Sequence, residues 1–149
     1  MQPRERTPGH RFDRFNPEAR ALVTETAEEM ARARNYRYIG TDHLVIALAN
    51  DPTMEPVFSQ LGVAPQEIVT ALDLIDGKCE EQSPDAIFPT PRLIRVIELA
   101  EEETLRTSSP EVTTAHLLLG VVREGQSMGA GVLESLGVTL EKARAVAIN

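Results

Sequence analysis

Tryptophan is absent from this chain, and aromatic residues fill only 4% of its 149 positions. Any core it builds is therefore aliphatic, and an apolar content of 42% is enough for one. A single cysteine, Cys79, excludes an internal disulfide and a cysteine-built zinc cage, and it fits a reducing compartment. Positive charge is short as well: 15 Lys and Arg stand against 23 Asp and Glu, a formal charge of −8. Proteins that grip nucleic-acid phosphates carry a basic patch or stripe, so this balance points away from nucleic acid and leaves room for cationic protein partners. No apolar run approaches the ~20 residues of a membrane span. The Arg- and Pro-bearing N-terminus lacks the apolar segment of a secretory signal. The phosphate-cradling loop of an ATPase is missing too, because Gly77-Lys78 is followed by Cys79 and lacks the earlier glycine. These absences predict a cytoplasmic, non-enzymatic domain that contacts no membrane, needs no cofactor and has no ATPase of its own.

What the chain does contain, it contains twice. Thr41-Asp42-His43-Leu44 recurs as Thr114-Ala115-His116-Leu117, and Leu61-Gly62-Val63 recurs as Leu136-Gly137-Val138. Pro17, Glu28, Glu29 and Arg32 line up with Pro91, Glu102, Glu103 and Arg106. Repetition of this kind fixes the architecture before any local reading does. It predicts an all-α fold of two repeats in pseudo-twofold relation, with about four helices in each. The expected layout is a flexible lead over 1–11, repeat one over 12–76, a linker over 77–90 and repeat two over 91–149. A four-helix unit of that size is marginal alone, so the repeats should pack as one domain.

The helix signals are local and physical. Asn16 is a cap, Pro17 fits the first helical position, and Ala19, Leu22, Val23, Ala27 and Met30 follow at three- and four-residue spacing. Thr41 and Thr114 are expected to cap the second helix of each repeat. Gly62 stops a third helix and Pro65 opens a fourth. Thr90-Pro91 restarts the pattern, and Thr139 caps the last helix. No segment alternates with a period of two, so no strand is expected.

The ordered motifs resemble the N-terminal repeat domain of Clp-family AAA+ unfoldases, especially the ClpC-like branch. Phe12-Asp13-Arg14-Phe15-Asn16 is similar to that family's opening, and Ile39-Gly40-Thr41-Asp42-His43-Leu44 to its first Gly-Thr-Glu-His-Leu motif. Thr90-Pro91-Arg92 and His116-Leu117-Leu118-Leu119-Gly120 with Arg123-Glu124-Gly125 are similar to the second repeat. The resemblance implies a module that docks substrates or adaptors, with Clp-family ATPases, adaptors or arginine-phosphorylated substrate proteins as partners in regulated proteolysis. It also implies a standalone domain, or the excised N-terminal domain of a full unfoldase. In the family, the motif acid holds the guanidinium of a phosphorylated arginine. Here the first acid is shortened to Asp42 and the second is replaced by Ala115.

One ligand site is expected, formed by Asp42 and Thr41 with the helix start at Asn16 and Pro17 and with Phe12 as a groove residue. A degenerate second site would hold Ala115, Thr90 and Pro91. A carboxylate can take paired guanidinium donors, and a phosphate favours a helix N-terminus. Equally, Asp42 can simply favour its own helix dipole. His43 and His116 read as structural histidines at helix starts. Metal binding would need further ligands at suitable spacing, and a hydrolase would need a nucleophile within about 3 Å of an imidazole. Glu28-Glu29 and Glu101-Glu102-Glu103 form either an acidic docking surface or a solvated helix face. Phe15 is expected in the core, Phe12 and Phe88 are left open, and Cys79 is a poor nucleophile beside Glu80 and Glu81.

Overall fold

The computed structural model describes residues 12–148, and the expected lead over 1–11 lies outside them. Helix α1 consists of three consecutive segments, Pro17–Ala21, Leu22–Thr26 and Ala27–Ala33, the middle one π-helical. Helix α2 is Thr41–Ala49, and a 3₁₀ turn at Pro52–Met54 leads into α3, Glu55–Leu61, and α4, Pro65–Asp76. Then follow α5, Pro91–Thr107, α6, Thr114–Glu124, α7, Met128–Ser135, and α8, Leu140–Ile148. Among the described residues there is no strand, so the all-α expectation holds.

The caps are largely where composition put them. Asn16 Oδ1 accepts from the Ala19 N–H at 2.8 Å, Thr90 Oγ1 from Leu93 at 3.1 Å and Thr139 Oγ1 from Lys142 at 3.2 Å. Helices α2 and α6 correct the expectation. Their caps are Gly40 and Thr113, while Thr41 and Thr114 are the first helical residues and are buried. The histidine sets this register. His43 Nδ1 accepts from the Gly40 N–H at 2.8 Å, and His116 Nδ1 from the Thr113 N–H at 2.9 Å. At Thr113 the exchange is reciprocal, because its hydroxyl accepts from the His116 N–H. Gly40 has no hydroxyl to return.

One core draws on both halves: Leu44, Leu48, Phe58 and Leu72 are buried with Val96, Leu117 and Leu133. Helix α6 crosses α5 at backbone contact. A Cβ on Gly120 would stand 2.4 Å from the Val96 carbonyl oxygen, so only glycine fits. Two isolated bridges tie the halves crosswise, Phe15 to Val112 and Ile39 to Pro89. The Asn16 N–H donates to the Val112 carbonyl at 2.9 Å, and the Thr90 N–H to that of Ile39 at 2.9 Å. Each bridge thus sets the start of a long helix in one half beside the motif helix of the other.

The segment 77–90 is held against the first half. Arg32 donates to the carbonyls of Pro84 and Asp85 at 2.9 and 2.8 Å, and Asn35 to that of Cys79 at 3.0 Å. Ile87 is buried, while Phe88 and Cys79 are exposed. Glu103 departs from the two readings of its acidic run. It is only 1% exposed, accepts from Arg144 Nη2 at 2.8 Å and Arg123 Nη1 at 3.1 Å, and has Arg106 Nε at 3.8 Å. Burial pushes this carboxyl up, but the three guanidinium groups outweigh it and hold it below the ordinary range. It anchors α8 to α5 and α6, a role that depends on arginines 20 and 41 residues away in sequence.

Candidate functional site

The site forms where the head of α2 meets the second half. A cavity of about 310 Å³ opens there. Its floor is Thr41, Asp42 and His43 from α2, with Asp76 from the end of α4. Thr90 and Arg92 line it from the start of α5, and Ser127 and Met128 from the start of α7. Tyr36 and Tyr38, in the loop before α2, complete the wall. Met128 is 58% exposed and Tyr38 is 48% exposed, so the lip is apolar over an acidic floor.

Asp42 does two things at once. Its Oδ1 accepts from the Gly129 N–H at 2.7 Å, so the carboxyl caps α7 from another helix. Glycine is required opposite it, because a Cβ at Gly129 would lie 2.8 Å from Val45 Cγ2 and 3.0 Å from Asp42 Oδ1. Asp76 lines the same cavity beside this carboxyl. Burial, then the bond to Asp76 and its charge, push Asp42 up to about 7, against the pull of Gly129 and Arg92. Arg92, the cation on the wall, is itself engaged by Glu124 at 3.3 Å.

The remaining groups are neutral. Burial, then the charge of Arg34, push His43 down to about 4, with Asp76 opposing. Its ring packs edge-on against Tyr36, with centroids 4.7 Å apart. Tyr36 donates its hydroxyl to the Asp76 carbonyl at 2.8 Å, and burial, then the charge of Asp76, raise it to about 12. Thr41 is 4% exposed, and its Oγ1 is the one buried side-chain oxygen or nitrogen among the described residues without a hydrogen-bond partner. Such an atom is costly unless something else satisfies it.

The pairing of site residues expected from the sequence is corrected. Thr90 and Arg92 stand with Asp42, and Pro91 opens their helix. Asn16 and Pro17 lie instead beside α6, where Asn16 bonds Val112. Phe12 meets Phe15 edge-on, with ring centroids 5.0 Å apart, at that same end. Ala115 therefore sits with the start of α1, not with Thr90 and Pro91. The crosswise bridges are the physical reason. The residues that the sequence did not single out are Tyr36, Tyr38, Asp76, Ser127 and Met128, each ordinary by itself in a loop or at a helix end.

The second motif is closed by internal bonds. Thr114 Oγ1 pairs with Thr53 Oγ1 at 3.1 Å, and His116 Nε2 with Thr107 Oγ1 at 2.8 Å. A hydroxyl 2.8 Å from an imidazole invites a catalytic reading, but the ring's other nitrogen decides against it. His116 Nδ1 accepts from the Thr113 N–H, so Nε2 carries the proton and donates to Thr107. A ring in that tautomer cannot take a proton from the hydroxyl. His43 Nδ1 is occupied in the same way.

The family model described as the Clp repeat (R) N-terminal domain matches residues 14–136. A curated relative, the negative regulator of genetic competence ClpC/MecB of Bacillus subtilis, is 34% identical over 135 residues, 89% of this chain and 16% of its own. The chaperone protein ClpB of Oceanobacillus iheyensis is 33% identical, with the same coverage. This chain thus spans about one sixth of the length of these relatives. Among solved structures, the Hsp104 N-terminal domain from Candida albicans superposes with a TM-score of 0.74 at 16% identity, over 91% of this chain and 89% of that one. A ClpV N-domain solved in complex with a VipB peptide gives a TM-score of 0.70 at 13% identity, over 100% and 97%. At such identities the likeness is one of fold.

Proposed function

Since the chain belongs to the Clp repeat (R) N-terminal domain family, we propose that it is a non-enzymatic docking module that seats a segment of an adaptor or substrate protein in the cavity at the head of α2. The observation that carries this reading is the Thr41 hydroxyl. It is buried and unpartnered, on a residue in the floor of a cavity that also offers the carboxyls of Asp42 and Asp76 and an apolar lip. A pocket with a few converging polar groups and an apolar rim is the usual form of a binding site. The ClpV N-domain complex supports it by analogy of fold, since that protein was solved with a peptide. The ligand chemistry is that of a basic side chain, with Asp42 as its one acid on the motif. Such docking would serve regulated proteolysis, either apart from an ATPase ring as an adaptor or decoy, or joined to one.

Site-specific photocrosslinking tests this. A crosslinker at Met128 should capture Clp-type ATPases, adaptors or protease substrates from the native cytoplasm, and Asp42→Ala should abolish the capture. A crosslinker at Leu105, which is exposed and about 20 Å further along α5 from Arg92, should not capture them. The same set of proteins from both positions, indifferent to Asp42, would overturn the reading.

A further inference from the structure

Resting on that docking reading, we propose that the segment 77–90 is a releasable strap that holds the cavity wall in place, and that Arg32, outside the cavity, is the residue that positions it. The strap begins and ends at the cavity: it leaves α4 after Asp76 and enters α5 at Thr90, and both residues line the site. Between them it runs alongside the loop that carries Tyr36 and Tyr38. The Cys79 N–H donates to the Arg34 carbonyl at 3.0 Å, and the Ser83 hydroxyl donates to that of Tyr36. Further along, the Ile39 N–H donates to the Phe88 carbonyl at 3.0 Å, and the Thr90 N–H returns to the carbonyl of Ile39. Tyr36 is thus tied to the strap through its backbone, while its ring packs on His43 and its hydroxyl reaches the Asp76 carbonyl. Releasing the strap would loosen the tyrosine wall and the head of α5 together.

Few contacts besides these bonds keep the strap down. Ile87 is its only buried residue, and a segment with so little apolar contact opens at low cost. The strongest tether is Arg32. Its Nε is taken by Glu28 one turn earlier at 2.8 Å, which leaves both Nη groups for the carbonyls of Pro84 and Asp85. A lysine lacks the planar fork that meets one acid and two carbonyls side by side. The repeat supplies the contrast. Glu102 and Arg106 occupy the matching positions, yet Glu102 bonds Arg123 at 2.9 Å and Arg106 faces the buried Glu103. The same pair of residues holds the strap in the first half and serves the Glu103 cluster in the second.

Amide hydrogen exchange on the purified chain tests the strap without any partner. The N–H groups of Cys79, Ile39 and Thr90 should exchange through one shared opening that low urea leaves unchanged, whereas the Leu117 N–H in α6 should quicken with urea. In Arg32→Ala the three should exchange about 10-fold faster together, the scale of one lost charge-assisted bond. Arg32→Lys should not restore them, and Arg106→Ala should leave all three as they were. Acceleration of Cys79 alone overturns the proposal, since the strap then opens without the wall. So does a urea dependence of all three equal to that of Leu117, since they then open only with the whole fold. Removing the apolar peg as well, in Arg32→Ala with Ile87→Ala, should leave the strap open. Capture by the crosslinker at Met128 should then fall at least about 10-fold, as the competent fraction falls, while Leu117 stays protected. If the three amides quicken and capture persists with its dependence on Asp42, the strap's hold on the site fails and the docking reading stands. If capture is indifferent to Asp42 in the parent chain, the docking reading fails, and the exchange rates alone decide whether the strap holds the wall.

Discussion

The heads of α2 and α6 begin with the same Thr-x-His-Leu pattern, yet one is open and the other is sealed. At α6, Thr114 is bonded to Thr53, His116 to Thr107, and the cap residue Thr113 returns the histidine's bond. At α2 the corresponding threonine has no partner, the cap is a glycine, and an acid stands where α6 has Ala115. The difference lies in neighbours, since the two turns share their histidine bond to the cap. A threonine hydroxyl at the head of a helix is bonded or left without a partner according to what the rest of the chain places opposite it.

Three measurements would break or sharpen this contrast. The largest effect is expected one helical turn further on, where Ala47 and Gly120 occupy matching positions. Gly120→Ala should destabilise by about 1–3 kcal/mol in urea unfolding, because the Val96 carbonyl cannot move away from a new Cβ. Ala47→Gly should cost only about 1 kcal/mol, mostly through helix propensity. Equal losses would mean that the two crossings are packed alike.

A matched pair of threonine variants comes next. Thr114→Val removes the bond to Thr53 and should cost about 1 kcal/mol. Thr41→Val removes an oxygen that has no partner, so it should be neutral or stabilise by up to about 1 kcal/mol. A loss at Thr41 as large as that at Thr114 would show its hydroxyl to be satisfied within the chain.

The third measurement is the pH dependence. Asp42 is raised to about 7 in the folded chain, so between its ordinary value of 3.8 and 7 the native state holds a proton that the unfolded state has released. Its contribution is full below 3.8 and is lost as the pH rises through 7. His43 works in the opposite sense: lowered to about 4, it contributes fully above 6.5 and its share is lost as the pH falls through 4. His116, also lowered by burial, has the same sense as His43. Asp42→Asn should therefore make stability rise more steeply between pH 4 and 6.5, as followed by urea midpoints. An unchanged slope would remove the titrating acid from the open end.

Much of the fold was legible because its signals are short-range. Asn16, Thr90 and Thr139 cap helices through bonds to residues only three positions away. The site was legible only in part. Asp42 and Thr41 were marked by the repeat, but Asp76 and Met128 carry no local sign of sharing a cavity with them. Glu103 read as one acid of a surface run, whereas three arginines make its burial possible.

The sequence by itself determined the helices, most of their starts and stops, the doubled motif and the family, since caps, periodicity and repetition are properties of neighbouring residues. Only the tertiary structure decided which ends meet. A repeat states that two heads are alike, and it is silent on which long helix lies beside each. The bridges from Ile39 to Pro89 and from Phe15 to Val112 settle that crosswise, placing Asp42 with Thr90 and Arg92, and Asn16 with the head of α6. Contacts between residues about fifty or a hundred positions apart are selected by the packing of the whole core, and no local pattern encodes them.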